Sequence, residues 1–179
     1  PPRSTLFPYT TLFRSRDAYF TEDRLYTLRT RNSAAYKGIY VLQMQLGSKD
    51  FRTADPIEWS NYFDDAIDVH HIFPQKWCDD NLIKPDVYNS IINKTPLSPR
   101  TNRMIGGRAP SAYLITIRNT AGISEEKAQE ILASHLIPIS KLEKDDFNGF
   151  MEARKELLLQ MIENAMGKKI QRNLKFEEE

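Results

Sequence analysis

One cysteine, Cys78, in 179 residues excludes an internal disulfide and any zinc site built on three or four thiolates, and it suits a reducing compartment. A metal in this chain must therefore be held mainly by oxygen and imidazole. Histidine is scarce as well. Two of the three histidines stand together in "DVHHIFPQKW", residues 68 to 77. No stretch reaches the ~18 to 20 uninterrupted apolar residues of a membrane-spanning helix, so no membrane partner is expected. Neither sign of charge dominates: 25 Lys+Arg against 24 Asp+Glu leave a net charge of +1, and a polyanionic partner has to be judged from local charge. A glycine-rich phosphate loop is also missing. What is present is 40% hydrophobic composition, enough for the chain to bury a core as one compact domain or two small ones.

The opening text "TLFPYTTLFRS", Thr5 to Ser15, is aromatic and β-branched, yet it lacks both alternation and flanking turn residues. It is identical to the translation of a common sequencing-library adapter. Residues 1–15 are therefore read as an artefact without ordered structure, and they are set aside from fold reasoning. The natural chain is expected to extend upstream.

From Thr21 to Leu46, Leu25, Leu28, Tyr36, Ile39, Tyr40, Leu42 and Gln43 are spaced for one or two amphipathic helices, with Gly47 as the stop. "SKDFRTADPIEWSNYFDD" reads as an acidic loop, and "AIDVHHIF" as a short strand closed by Pro74. "KWCDDNLIKPDVYNS" reads as a long loop with a helical turn, and "IINKTPL" as a second strand. "SPRTNRMIGG" carries a full set of helix signals, with Ser98 as N-cap, Pro99 in the first position and Gly106-Gly107 at the stop. Further helices are expected from Pro110, after the Ser124 cap, and from about Asp146 to Met166, with Gly167 as the final cap and "KFEEE" frayed beyond it. The predicted fold is α+β and mostly α, with a small strand–strand–helix unit among flanking helices. Residues 16–62 form a helical segment, 63–118 the strand–strand–helix core and 119–179 a helical C-terminal region.

On a strand, alternate residues share a face, so Asp68 and His70 point one way and His71 the other. Residues on opposite faces cannot jointly hold one ion, and a division of labour is more natural, with His70 on a metal and His71 acting as a base. Imidazole suits both roles, being mostly neutral at neutral pH. Asn102 lies close to the positive end of the helix that follows Ser98. From Lys94 to Asn119 the chain holds Lys94, Arg100, Arg103, Arg108 and Arg118 with no Asp or Glu, a pattern suited to phosphate and equally to a solvated helix face. Asp64, Asp65 and Asp68 put acidic groups just upstream of the histidines.

"DVHHIFPQ", then Asn93-Lys94, then Asn102-Arg103, resembles the His-Asn-His (HNH) nuclease motif, a ββα-metal fold. The wording "YNSIINKTPLSPRTNRMIGGRAPSAYL" is similar to the C-terminal HNH region of GmrSD-like restriction proteins, and the resemblance covers nearly everything after residue 17. It implies a DNA endonuclease of a bacterial or archaeal cytoplasmic restriction and phage-defence system. It also implies an upstream ParB-like nucleotide-binding domain outside this sequence. By position, His71 becomes the general base and Asn93 the residue bracing the loop that holds it. His70 and Asn102 become ligands to Mg2+ (or Mn2+), with Asp68 as an additional or supporting ligand. Lys94, Arg100, Arg103 and Arg108 become phosphate contacts, and no structural zinc is expected. The implied reaction is one-metal phosphodiester hydrolysis leaving 5′-phosphate and 3′-hydroxyl ends. The competing reading is a catalytically silent module that binds nucleic acid or docks a partner.

His135, in "ASHLIP", is expected to be structural, at a helix carboxyl end where an imidazolium is favoured. Cys78 is expected as a thiol without a partner, and Trp59 and Trp77 as packing anchors.

Overall fold

The computed structural model describes residues 19–57 and 68–172. Residues 1–15, Trp59, Asp64, Asp65 and the "KFEEE" tail lie outside that range. The fold is α+β and mostly helical, with one two-stranded antiparallel sheet among the described residues. Helix α1, Arg24–Thr27, is a single turn, and α2 spans Ala34–Gln45. Strand β1 is Asp68–His71. Two short helices follow, α3 at Gln75–Asp80 and α4 at Pro85–Tyr88, then a 3-10 turn at Ile91–Asn93 and strand β2 at Lys94–Leu97. Beyond the hairpin come α5 (Pro99–Ile105), α6 (Pro110–Ala121), α7 (Glu125–Ser134), α8 (Ile139–Leu142) and α9 (Phe147–Met166).

The capping chemistry accounts for these boundaries. Ser98 Oγ accepts from Thr101 N at 3.2 Å, Ser124 Oγ from Lys127 N at 3.2 Å, and Asp146 Oδ1 from Gly149 N at 2.9 Å. Gly167 closes α9 in the left-handed conformation that glycine reaches without strain. Carboxylates from distant loops add to the caps. Asp50 takes Ser98 N at 3.0 Å and the Thr101 hydroxyl at 2.7 Å. Asp145 takes Ser111 N at 2.9 Å and the Ser111 hydroxyl at 2.7 Å, so the first two helices after the hairpin start on a remote acid.

Two expected segments fold differently. "KWCDDNLIKPDVYNS" holds two short helices where a long loop with one helical turn is expected, because Pro74 and Pro85 pre-set the starts and Trp77, Cys78 and Tyr88 give each a side to bury. In "IINKTPL" only the last four residues pair with β1; Ile91 and Ile92 turn inward, both fully buried. Their backbone finds partners outside the sheet: Ile91 N donates to Leu28 O at 2.8 Å, and Arg154 donates to the carbonyls of Ile92 and Lys94. β1 likewise ends at His71, earlier than expected. Pro96 causes no loss in a two-stranded ribbon, where each strand has a free edge.

α9 runs through the middle of the core. Its Phe147, Phe150, Met151, Leu158, Leu159 and Ile162 belong to one apolar cluster with Leu25, Tyr36 and Tyr40 from the first helices and Ile72, Phe73, Ile92 and Leu97 from the hairpin. Packing is therefore continuous across the boundary at residues 118 and 119. The chain ends of the described region meet too: Glu22 N bonds Gln171 O, Gln171 N bonds Phe20 O, and Lys155 pairs with Glu22 at 2.8 Å.

The Arg154 side chain of α9 is fully buried, and burial pulls its guanidinium down only to about 10, so it stays charged at neutral pH. It bonds the carbonyls on either side of Asn93 and also His135 O at 3.3 Å. Beside the buried Lys155, α9 thus carries a fully buried cation whose role is to hold three main-chain carbonyls.

Candidate functional site

In the ribbon, Asp68 pairs with Leu97, Val69 with Pro96, His70 with Thr95 and His71 with Lys94. Directly opposed residues project to the same side, so His70 lies beside Thr95 and His71 beside Lys94, on opposite faces. For Asp68 the structure describes the backbone pairing alone.

On the His70 face, a chain of hydrogen bonds reaches α5. Thr95 Oγ1 and His135 Nδ1 are 2.6 Å apart, His135 Nε2 lies 2.6 Å from Lys49 O, and the next residue, Asp50, caps α5. A carbonyl only accepts, so His135 Nε2 carries the proton and Nδ1 accepts from the Thr95 hydroxyl. This relay puts the amino end of α5 on the same side of the ribbon as His70. Asn102, on the second turn of α5, is half-buried, and its backbone sits in the helix between Ser98 O and Gly106 N.

His135 itself is structural, as expected, but not as an imidazolium. Burial, with the Arg154 charge, outweighs the Lys49 carbonyl bond and Asp50 and holds the ring down at about 4. The helix-end dipole counts for less than complete loss of water.

His71 is oriented by a residue whose role the sequence spacing does not reveal. Its Nε2 lies 3.0 Å from Asn89 Oδ1 at the end of α4, and the Tyr88 ring meets it edge-on at 5.8 Å. With Nε2–H donating to the amide oxygen, the neutral ring keeps its lone pair on Nδ1. Burial depresses its pKa, the Asn89 bond raises it in part and the Lys94 charge lowers it. His70 is held at about 4 by burial, then by His71 and Arg31, so both rings of the pair are neutral at neutral pH.

Behind His71 the turn is pinned at every backbone polar group. Ile72 N donates to Asn93 O at 2.9 Å, and the hydroxyl of Tyr113 in α6 donates to Ile72 O at 2.9 Å. Phe73 N donates to Asn93 Oδ1 at 2.8 Å, and Asn93 Nδ2 donates to Phe73 O at 3.0 Å and to Tyr88 O at 3.1 Å. Asn93 is fully buried. One carboxamide therefore ties the turn after His71 to the end of the helix that carries Asn89, fixing both partners of the His71–Asn89 bond. Cys78 adds a thiol contact to Phe73 O at 3.5 Å; burial, with Asp79, pushes it up to about 12, a packed and unreactive sulfur. Trp77 packs on Phe73, ring centroids 5.0 Å apart.

The five cations of the acid-free stretch do not form one patch. Lys94 Nζ donates to Arg29 O at 2.8 Å. Arg108 folds onto Met104 O, Ile105 O and the Thr116 hydroxyl, and Arg118 pairs with Glu125 at 3.2 Å. Three of the five are thus engaged, Lys94 by a carbonyl distant in sequence and Arg108 and Arg118 by groups within eight residues. Arg100 and Arg103 are exposed and line a recess of about 470 Å³ at the start of α5, together with Asp50, Arg52 and Ser98.

Of the two residues expected to hold a metal, His70 offers a neutral imidazole and Asn102 a half-buried carboxamide. Among the described residues no three His, Cys, Asp or Glu side chains gather at a point. Among the described residues no helix is long and apolar enough to cross a membrane.

No known protein family's profile matches the chain. It is 31% identical over 156 residues to an uncharacterized protein of Methanocaldococcus jannaschii, an alignment covering 75% of this chain and 26% of that relative. The chain spans about a quarter of the relative's length.

Proposed function

We propose that this chain is the metal-dependent HNH endonuclease part of a cytoplasmic restriction or phage-defence protein, hydrolysing phosphodiester bonds in DNA. The observation that carries this is the His71 arrangement: a neutral imidazole with Nε2 held by Asn89, on a turn whose backbone is clamped by buried Asn93. A general base needs a fixed tautomer and a fixed position more than it needs a strongly shifted pKa.

His71 Nδ1 takes the proton of a water molecule, the oxygen attacks phosphorus in line, and the bond to the 3′-oxygen breaks. Mg2+, held by His70 and Asn102 with water completing its shell, would supply positive charge to the phosphate and the leaving oxygen. Asn93 and Asn89 keep the base aimed, and Arg100 and Arg103 supply exposed donors for the strand on the α5 side. An upstream ParB-like nucleotide-binding domain belongs to the same proposal.

The test is plasmid DNA with Mg2+, against EDTA and His71→Ala. Nicking or linearisation that needs the metal, and that falls ~10²- to 10⁴-fold in the variant, is expected. DNA binding without metal-dependent cleavage would make the chain a binding module instead.

A further inference from the structure

A recess of about 470 Å³ adjoins His71 through Asn89 and is lined by Arg29, Thr30, Pro85, Asp86 and Asn89. Asn89 spends its amide oxygen on His71, which leaves the two Nδ2 hydrogens for whatever enters. Arg29 and Thr30 are exposed, on the loop between α1 and α2, and that loop is tethered at three points. Leu28 O accepts from Ile91 N at 2.8 Å, Arg29 O from Lys94 Nζ at 2.8 Å, and Tyr26 O from Arg29 Nε at 3.4 Å. Ile91 and Lys94 bracket Asn93, so the wall of the recess is fastened to the same segment that clamps the turn behind His71. Lys94, expected as a phosphate ligand, serves as that fastening. A second charge on the loop, Arg31, is close enough to depress His70.

Guanidinium, hydroxyl and carboxamide N–H are the donors that proteins turn toward backbone phosphates. Among the described residues Asp86 is the one acid on the lining, which favours an anion on the Arg29–Thr30–Asn89 side. The exposed Arg100 and Arg103 stand by the start of α5, on the His70 face, whereas Asn89 and Lys94 belong with His71 on the other. A strand crossing the ribbon at the histidines would meet cations on both sides. We propose that Arg29, Thr30 and Asn89 form a subsite for the phosphodiester adjacent to the scissile one on a polynucleotide strand, an inference that rests on the nuclease reading above.

The experiment measures binding of a short DNA duplex to the whole chain in EDTA over a range of salt, and replaces single phosphates by uncharged methylphosphonates. Arg29→Ala should weaken binding and make the slope of log K against log salt shallower by about 1. Neutralising the flanking phosphate should weaken the wild type and leave Arg29→Ala indifferent at that position alone, while Asp86→Asn should bind more tightly than wild type. A wild type that cleaves DNA with a salt slope and methylphosphonate profile shared by Arg29→Ala would overturn the subsite and leave the nuclease reading standing. A wild type that neither binds nor cleaves would overturn the nuclease reading, and the subsite with it.

Discussion

The side-chain amide of Asn93 grips the backbone of Phe73 at both ends, accepting from its N–H at 2.8 Å and donating to its carbonyl at 3.0 Å. Asn93→Ala would leave the Phe73 N–H and the Tyr88 carbonyl buried without these partners, each worth ~1–3 kcal/mol. The expected loss is ~2–5 kcal/mol, read as a lower urea midpoint at unchanged slope. Asn93→Asp keeps the acceptor but forfeits both donated bonds and buries a carboxylate, so it should not rescue. A loss below ~1 kcal/mol would show that the other contacts hold the turn by themselves.

The parts of this site that were legible in the sequence are those whose signal is local. Strand alternation separates His70 from His71, and Ser98, Pro99 and the glycines at 106 and 107 delimit the helix of Asn102, because capping and period act within a few residues. Asn89, Asp50, Arg154 and Tyr113 were not legible. Each acts on a partner far along the chain: Asn89 on His71, Asp50 on Ser98, Arg154 on Ile92 and Tyr113 on Ile72. Distance also hid the engagement of Lys94 by the Arg29 carbonyl, while Glu125, just past the acid-free stretch, reaches back to Arg118. Ile91 and Ile92 read as strand because β-branched residues suit strands and buried turns alike, and only the buried guanidinium of Arg154 decides between them.

Asn89 does not touch the reacting groups in this scheme; it positions His71. Asn89→Ala should lower the cleavage rate ~10- to 100-fold, the scale on which orienting partners of working histidines act. Nitrogen NMR gives a readout that general loosening would not mimic: His71 should be the Nε2-protonated tautomer in the wild type and a mixture in the variant. A single unchanged tautomer in Asn89→Ala would remove Asn89 from this role.

Metal should matter for turnover and not for folding. The turn behind His71 has its backbone groups satisfied by protein donors and acceptors, and the core cluster is built of hydrophobic side chains. EDTA should therefore abolish cleavage and leave the melting temperature where it was. Calorimetric titration with Mn2+ should show binding that weakens at least ~10-fold in His70→Ala and in Asn102→Ala, the scale on which disturbing a metal's surroundings costs affinity. Melting that falls sharply in EDTA would point to a structural ion instead.

His135 links the fold to pH. Its ring is buried between the Thr95 hydroxyl and Lys49 O and protonates at about 4, against 6.5 for an unhindered histidine. Protonation would put a hydrogen on Nδ1, the second on the ring, facing a hydroxyl that now donates to that nitrogen, beside the Arg154 charge. The unfolded chain takes up this proton first as pH falls, so the contribution is complete above pH 6.5, drains away between about 6.5 and 4, and levels off below. A shift of this size corresponds to ~3 kcal/mol. Urea unfolding across that range should show the decline. The proton resonance of the His135 ring should hold its neutral position at pH 5, where a solvent-exposed imidazole is already mostly charged. Titration of that resonance near 6.5 would mean that the Thr95–His135–Lys49 relay opens in solution, and with it the link that holds Asp50 and the start of α5 against the His70 face.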